Sequence, residues 1–268
     1  MPVYFLAVSL GLLGLFIGSF LNVVVVRLHK GKSFATGRSE CPKCHHQLKW
    51  YELLPIASYI IQKGRCRSCS KHISAQYPLM ELLTGFVFAS LALHFAGASS
   101  AGIALLSRLS IFSLSVSLVV ASLLIVAAVY DAKWMLLPDS VMLPAIFIAL
   151  FYVVSLNTIF GQEVLLSRLI AALIFGVFFT TLWAVSSGKW LGDGDIRLAV
   201  VMGLMLSLPQ LIIGVFFAFN IAAVVSIGLL ATKKKTRHDA VPLGPFLILG
   251  TFLGLMFGNS LMTYYLAV

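Results

Sequence analysis

The sequence predicts an all-α, polytopic membrane protein with about eight transmembrane helices and one small polar segment that holds all its cysteines. Hydrophobic residues make up 60% of the 268 residues and charged residues only 10%, whereas soluble domains carry about 25% charged residues. The apolar residues also form long charge-free runs of transmembrane length. All four cysteines fall between the first two of these runs.

Seven charge-free runs follow one another along the chain: residues 3–26, 82–107, 109–130, 140–162, 169–188, 198–232 and 240–268. The first run has neither a basic leader nor a cleavage-site pattern, which favours a retained span over a signal peptide. The sixth run exceeds the ~20 residues that one span needs. Pro209 supplies a break there, because proline interrupts a helix. The prediction is therefore eight spans.

The basic residues between the runs predict which side of the membrane each polar segment faces. Segments 27–71, 131–138, 189–197 and 233–237 contain 17 of the 19 Lys and Arg residues. Since cytoplasmic loops are enriched in these residues, we expect the four segments to be cytoplasmic and both termini to lie outside. The net charge of +10 then reflects topology and attraction to anionic lipids, and we expect no nucleic-acid partner.

The cysteines form two Cys-x-x-C pairs within the polar segment 27–77: Cys41, Cys44, Cys66 and Cys69. Two such pairs are typical of a zinc site, and four thiolates complete a tetrahedral shell. Disulfides or free thiols are the alternatives, but a cytoplasmic location disfavours disulfides. We expect the zinc to be structural, because a segment of about 50 residues is small for a core of its own.

Two aspartates at the ends of predicted spans are the candidates for catalysis. Asp131 ends the third span, and Asp195 begins the sixth within the stretch Gly192-Asp193-Gly194-Asp195. The sixth span has only 14 residues, so it covers about 21 Å of a core about 30 Å thick. An aspartate below the membrane surface indicates a functional site. Asp139 and Asp193 have simpler explanations, as a helix N-cap and an exposed turn residue.

A facing pair of aspartates has a defined chemistry. Like charges at short range cannot both ionise, so the pair shares one proton. The ionised member takes a proton from water while the protonated member polarises a carbonyl, which hydrolyses a peptide bond without a metal. Two independent helix-end residues are the alternative. We expect the proton on Asp131, because a helix C-terminus disfavours negative charge, and Asp195 as the base.

Several motifs resemble the prepilin peptidases. Residues 192–195 fit the Gly-x-Gly-Asp signature of intramembrane-type aspartic peptidases. Residues 18–24 resemble the first span of the prepilin peptidases, 41–69 their zinc-binding segment, and 77–85 the entry to their second span. Asp131 with residues 136–139 matches the block that holds their first catalytic aspartate, and Asp195 matches the second.

The resemblance implies an endopeptidase that removes the basic leader of prepilins or pseudopilins, for type IV pilus biogenesis or type II secretion. It places the protein in the bacterial inner membrane, with the aspartates and the zinc segment on the cytoplasmic side. Members with four cysteines usually also methylate the new N-terminus with S-adenosylmethionine. No donor-binding residue is assigned. Small departures from the family pattern are His29, where proline is common, and Arg197, where lysine is common.

The implied organisation has three parts: a first transmembrane helix at residues 1–26, a zinc-binding segment associated with methylation at 27–77, and a peptidase domain at 78–268. Glu81, close to the zinc segment, is a further candidate for the methylation activity, although an ion pair with Lys71 explains it equally well.

Proteins of other classes provide alternatives. A transporter could use the aspartates as a proton relay but leaves the cysteines unexplained. A relative of signal peptide peptidase or presenilin would lack the zinc segment, and an assembly scaffold would tolerate loss of both aspartates.

Overall fold

The structure, a computed structural model, describes residues 2–33, 37–97, 108–160, 162–236 and 239–266. Within these ranges the regular elements are all helices: α1 Pro2–His29, α2 Ala57–Ile61, α3 Gln76–Gly97, α4 Arg108–Trp134, α5 Asp139–Phe160, α6 Gln162–Ser186, α7 Asp193–Met205, α8 Leu208–Ala231 and α9 Gly244–Leu266, with a 3-10 turn at Trp50–Leu53. The all-α prediction is confirmed. Arg237 and the ends of the predicted second and last spans, residues 98–107 and 267–268, lie outside the described residues.

Seven of the described helices are long and apolar enough to cross a membrane, namely α1, α3, α4, α5, α6, α8 and α9. The chain is therefore a multi-pass membrane protein. α7 is the short sixth span that the sequence predicted: its 13 residues extend about 20 Å, against about 30 Å for a bilayer core. It is not among the seven candidate spans, so the eighth crossing stays a prediction. The break near Pro209 also agrees with the prediction, because α8 begins with this proline in its first turn.

The chain divides into two compact units, Met1–Val126 and Ala127–Val268, with the boundary inside α4. In the first unit, α1 and α3 pack through glycines. A side chain at Gly14 or at Gly18 would come within 2.8 Å of the α3 backbone. Small residues four apart allow this close approach between membrane helices.

A buried side-chain amide connects the C-terminal end of α1 to the N-terminal end of α3. Asn22 of α1 is fully buried, and its Nδ2 donates to the carbonyl oxygen of Tyr77 in α3 at 3.2 Å. The same Nδ2 donates to the Gly18 carbonyl at 3.2 Å. Because an amide in an apolar interior is costly without partners, these bonds favour one register between the two helices.

In the second unit, α7 is surrounded by longer helices and contacts α5, α6, α8 and α9. A side chain at Gly203 of α7 would lie 2.3 Å from Cα of Ala172 in α6. Arg168 of α6 donates to the carbonyl oxygens of Leu204 at 3.0 Å and Met205 at 2.6 Å. These are carbonyls that the end of a helix leaves without an intrahelical partner. Arg168 therefore caps α7 and fixes it within the unit.

Candidate active site and metal centre

The four cysteines converge in the first unit. Their sulfurs all lie within 4.8 Å of one another, with Sγ of Cys41 4.0 Å from Cys69 and Sγ of Cys44 3.9 Å from Cys66. None forms a disulfide. Four sulfurs bound at ~2.3 Å around a tetrahedral zinc ion stand about 3.8 Å apart. The cluster could therefore hold a metal ion, with separations close to those of a four-cysteine zinc site.

Both Cys-x-x-C motifs end in the same tight turn. The backbone N–H of His45 donates to the carbonyl of Cys41 at 3.0 Å, and that of Ser70 donates to the carbonyl of Cys66 at 2.8 Å. His45 and Ser70 both have a positive φ, 57° and 56°, in a region that residues with side chains rarely adopt. The repeated backbone presents each cysteine pair in the same way, as two halves of one metal site.

The neighbouring histidines stand outside the cysteine cluster. The group of possible metal ligands found among the described residues contains no histidine. The imidazole of His45 is exposed and lies 3.5 Å from Glu40. Nε2 of His46 lies 3.7 Å from the buried carboxylate of Glu52, which also accepts the N–H of Lys49 at 2.9 Å. These contacts connect the first cysteine turn to the 3-10 turn.

Asp131 lies in the last turn of α4 and is only 6% exposed. Its Oδ2 accepts the backbone N–H of Gly244, the first residue of α9, at 3.0 Å. A Cβ at Gly244 would stand 2.6 Å from the same oxygen, so any larger residue here would displace the Asp131 carboxylate. The N-terminus of a helix favours negative charge, so the N-terminus of α9 offsets part of the cost of burying the Asp131 carboxylate.

Asp195 is the third residue of α7, which is too short to be among the seven candidate spans, and it is only 8% exposed. Its Oδ2 accepts the backbone N–H of Gly192 at 3.2 Å. Burial, together with the negative charge of Asp131, raises the pKa of Asp195 to about 6. The two carboxylates thus lie within electrostatic reach inside the second unit, as a pair that shares a proton requires.

The two glycines before Asp195 have different surroundings. A Cβ at Gly194 would lie 2.6 Å from Cβ of Leu137, whereas a Cβ at Gly192 would meet nothing nearer than Oδ2 of Asp195 at 3.6 Å. Gly194 therefore allows α7 to pack against Leu137. Gly192 is exposed, so its missing side chain leaves open space beside Asp195.

The other two aspartates form ion pairs with Arg197. Its Nη2 lies 3.2 Å from Asp193, and its Nη1 contacts Asp139. The predicted N-cap role of Asp139 is wrong, because Asp139 is already the first helical residue of α5 and the N–H groups of Val141 and Met142 bond to the carbonyl of Pro138 before it. Arg197 instead connects the start of α5 to the start of α7.

Sequence reasoning missed two residues of this site, Gly244 and Arg168. The signal for Gly244 was available, since it precedes Pro245 at the start of the last span, where proline is common in a first helical turn. Nothing local indicates that this turn meets Asp131. In the sequence analysis Arg168 contributed only to the count of basic residues. Its contact with the end of α7 depends on how α6 packs against α7, which the sequence does not show.

Comparisons with known proteins agree with this architecture. The profile described as Bacterial Peptidase A24 N-terminal domain matches residues 12–95, and that of the Type IV leader peptidase family matches residues 118–227. A Bacillus subtilis protein named prepilin leader peptidase/N-methyltransferase is 30% identical, over 94% of this chain and 95% of its own length. A Myxococcus xanthus protein of the same name is 34% identical, over 91% of this chain and 73% of its own.

A Pseudomonas aeruginosa protein with that name is 28% identical, over 95% of this chain and 91% of its own length. No solved structure matches the chain. The matches cover both the cysteine-bearing segment and the helices that carry the two aspartates. The chain belongs to the type IV leader peptidase family, as the resemblance of its motifs indicated.

Proposed function

We propose that this protein is an aspartic endopeptidase that removes the leader peptide of prepilins or pseudopilins, with Asp131 and Asp195 as the catalytic pair. One observation carries the assignment of these residues. Two buried aspartates from α4 and α7 lie within electrostatic reach of each other, and the pKa of Asp195 is raised to about 6. The family and the names of its relatives support the substrate.

The surroundings of the two carboxylates favour Asp131 as the base and Asp195 as the acid. Each carboxylate accepts one backbone N–H at a helix N-terminus, Asp131 from Gly244 and Asp195 from Gly192. We place the proton on Asp195 because burial and the charge of Asp131 raise its pKa to about 6. This assignment reverses the one expected from the helix ends. The sequence placed Asp131 at a helix C-terminus but did not indicate that the N-terminus of α9 faces it.

With these roles the reaction balances. Asp131 takes a proton from a water molecule whose oxygen bonds to the scissile carbonyl carbon, and Asp195 gives its proton to the carbonyl oxygen. When the carbon–nitrogen bond breaks, the leaving amine takes the proton held by Asp131. The hydroxyl of the collapsing intermediate returns its proton to Asp195, which restores the pair.

We also propose that the protein methylates the N-terminus that cleavage exposes. The names of the relatives support this second activity, for which S-adenosylmethionine supplies the methyl group. The zinc ion held by the cysteine cluster is structural in this proposal and stabilises segment 27–77. The peptidase domain then comprises residues 78–268, after a first transmembrane helix at 1–26.

The proposed location is the bacterial inner membrane, with the zinc segment and both aspartates on the cytoplasmic side. The asymmetry of basic residues supports this orientation, since positive charge is retained in the cytoplasm. The partners are then prepilin or pseudopilin substrates and the lipid bilayer. Reporter fusions after Lys189 and Lys233 test the orientation, because both residues should lie in the cytoplasm.

The decisive experiment incubates the purified full chain with a prepilin and follows the substrate mass. Asp131→Asn and Asp195→Asn should each reduce cleavage at least a thousandfold, because one carboxylate cannot supply both base and acid. Asp193→Asn is the matched control, since Asp193 is an exposed aspartate of the same motif, and it should cleave within a few-fold of wild type. A scaffold or transporter would leave the prepilin uncut in every case.

A further inference from the structure

The first unit contains a cavity that neither the aspartate pair nor the cysteine cluster uses. Its volume is about 880 Å³, within the range of ~300–1,000 Å³ typical of small-molecule sites. Apolar side chains from α1 form part of its wall, among them Phe16, Phe20 and Val23. Cys41 and Cys66 also line it, so the cavity borders the candidate zinc site.

Two buried carboxylates line this cavity. Glu81 of α3 is 6% exposed and Glu52 is 7% exposed. Oε2 of Glu81 accepts the backbone N–H of Ile56 at 2.7 Å, and the hydroxyl of Ser19 donates to the same carboxylate. These neutral donors orient Glu81 but leave its charge uncompensated.

Among the described residues, no lysine, arginine or histidine forms an ion pair with Glu81. The sequence suggested Lys71 as a partner, and the structure does not pair them. Arg27 also lines the cavity, where its guanidinium donates to the carbonyl oxygens of Gly37 at 3.1 Å and Arg38 at 3.0 Å. Lysines line the cavity as well, among them Lys30, Lys32 and Lys71, but none of these described lysines is within ion-pair distance of Glu81. A buried carboxylate is costly without a cationic partner, and the cavity gives such a partner access.

We propose that Glu81 binds the ammonium group of a ligand in the methylation reaction, and that this cavity is the methylation site. The proposal rests on the methyltransferase activity proposed above. Two reactants carry an α-ammonium group: the newly exposed N-terminus of the cut pilin, and the amino-acid part of S-adenosylmethionine. A buried carboxylate binds such a group by a charge-assisted hydrogen bond. Binding here also places the ligand in the unit that carries the cysteine cluster.

The test compares Glu81→Gln in the full chain with Glu163→Gln, which removes the same charge at an exposed position of α6. Glutamine keeps the shape of the side chain and can still accept from Ile56. Four quantities are measured for each variant: binding of radiolabelled S-adenosylmethionine by equilibrium dialysis, methylation of a pilin supplied already cut, prepilin cleavage, and zinc content. We expect Glu81→Gln to weaken one binding step about tenfold or more, with prepilin cleavage and zinc content unchanged.

The measurements distinguish which of the two reactants Glu81 binds. If Glu81 binds the donor, the Kd of S-adenosylmethionine rises about tenfold in Glu81→Gln. If it binds the pilin N-terminus, that Kd is unchanged and KM for the cut pilin rises instead. In the second case, an N-acetylated cut pilin, which lacks the ammonium group, should also fail to inhibit methylation by the wild-type chain.

Unchanged donor affinity together with unchanged KM in Glu81→Gln overturns the proposal. If that variant loses its zinc, Glu81→Asp takes its place, because it keeps the charge on a side chain one methylene shorter. Glu81→Asp should weaken binding, but less than a variant that loses the charge. If a folded Glu81→Asp chain has the donor Kd and the KM of the wild type, the result contradicts the proposal. A wild-type chain that cleaves prepilin but neither binds the donor nor methylates overturns the methyltransferase activity and this site together.

Discussion

The backbone N–H of Gly244 donates to Oδ2 of Asp131 at 3.0 Å, across 113 positions of sequence. This bond places the N-terminus of α9 against one member of the candidate catalytic pair. It offsets part of the cost of burying the charge assigned to Asp131, because amide donors at a helix N-terminus stabilise an anion.

Replacing Gly244 tests this relationship. Gly244→Ala should lower kcat for prepilin cleavage by roughly 10- to 100-fold, because its Cβ would stand 2.6 Å from Oδ2 of Asp131 and displace the carboxylate. The measurement is single-turnover cleavage of a prepilin. Gly228→Ala is the control, since a Cβ there meets nothing within 4 Å. Equal cleavage by both variants would show that Asp131 does not depend on α9.

The two glycines of the Gly-x-Gly-Asp stretch should respond differently to alanine. Gly194→Ala places a Cβ 2.6 Å from that of Leu137 and should destabilise the second unit by about 1–3 kcal/mol. Gly192→Ala should leave the unfolding temperature unchanged and raise KM, because the exposed position faces the proposed substrate side. Thermal unfolding and cleavage kinetics check both variants. The opposite order of stability would contradict the packing described for α7.

Cleavage should depend on pH through the shared proton. The pKa of Asp195 is raised to about 6, so the carboxyl holds its proton below that pH and loses it above. We expect kcat/KM to fall as the pH rises through about 6, because the pair then loses its acid. The profile is measured for wild type between pH 4.5 and 8, at about half-unit intervals. A kcat/KM that stays constant across pH 6 would show that cleavage does not depend on a proton held by Asp195 with this pKa.

The metal prediction concerns all four cysteines. The purified chain should contain one zinc ion, and a serine at any one of Cys41, Cys44, Cys66 or Cys69 should release it, because a structural site needs its complete shell. Segment 40–71 should then become sensitive to protease. His45→Ala should retain zinc, since this histidine is not in the cluster. Elemental analysis of each variant provides the measurement, and zinc-free wild-type protein prepared without chelator would refute the prediction.

Loss of the cysteine cluster should reduce methylation more than it reduces prepilin cleavage. The cysteines and the cavity beside them belong to the first unit, whereas both aspartates belong to the second. A Cys66→Ser chain should therefore lose methylation of a cut pilin while keeping most prepilin cleavage. Asp195→Asn should show the reverse pattern. Loss of both activities in a folded Asp195→Asn chain would indicate one shared site.

The sequence by itself determined the class of the protein, most helix limits and the candidate residues for catalysis and metal binding. Lipid accepts only continuous apolar segments whose backbone bonds internally, so the spans are visible as local runs. The two Cys-x-x-Cys pairs and Asp195 at the start of a short apolar run are also local patterns. Closely spaced ligands indicate a metal site, and an acidic residue beside an apolar run indicates a functional one.

Only the tertiary structure decided which of these residues meet. The bond from Gly244 to Asp131, the packing of Gly194 on Leu137 and the capping of α7 by Arg168 all join segments that are distant in sequence. Membrane helices are apolar on every face, so hydrophobic periodicity does not reveal which faces pack together. Close contacts between small residues and a few buried polar bonds select the neighbours instead. These selected contacts give the two aspartates the surroundings on which the roles proposed for them rest.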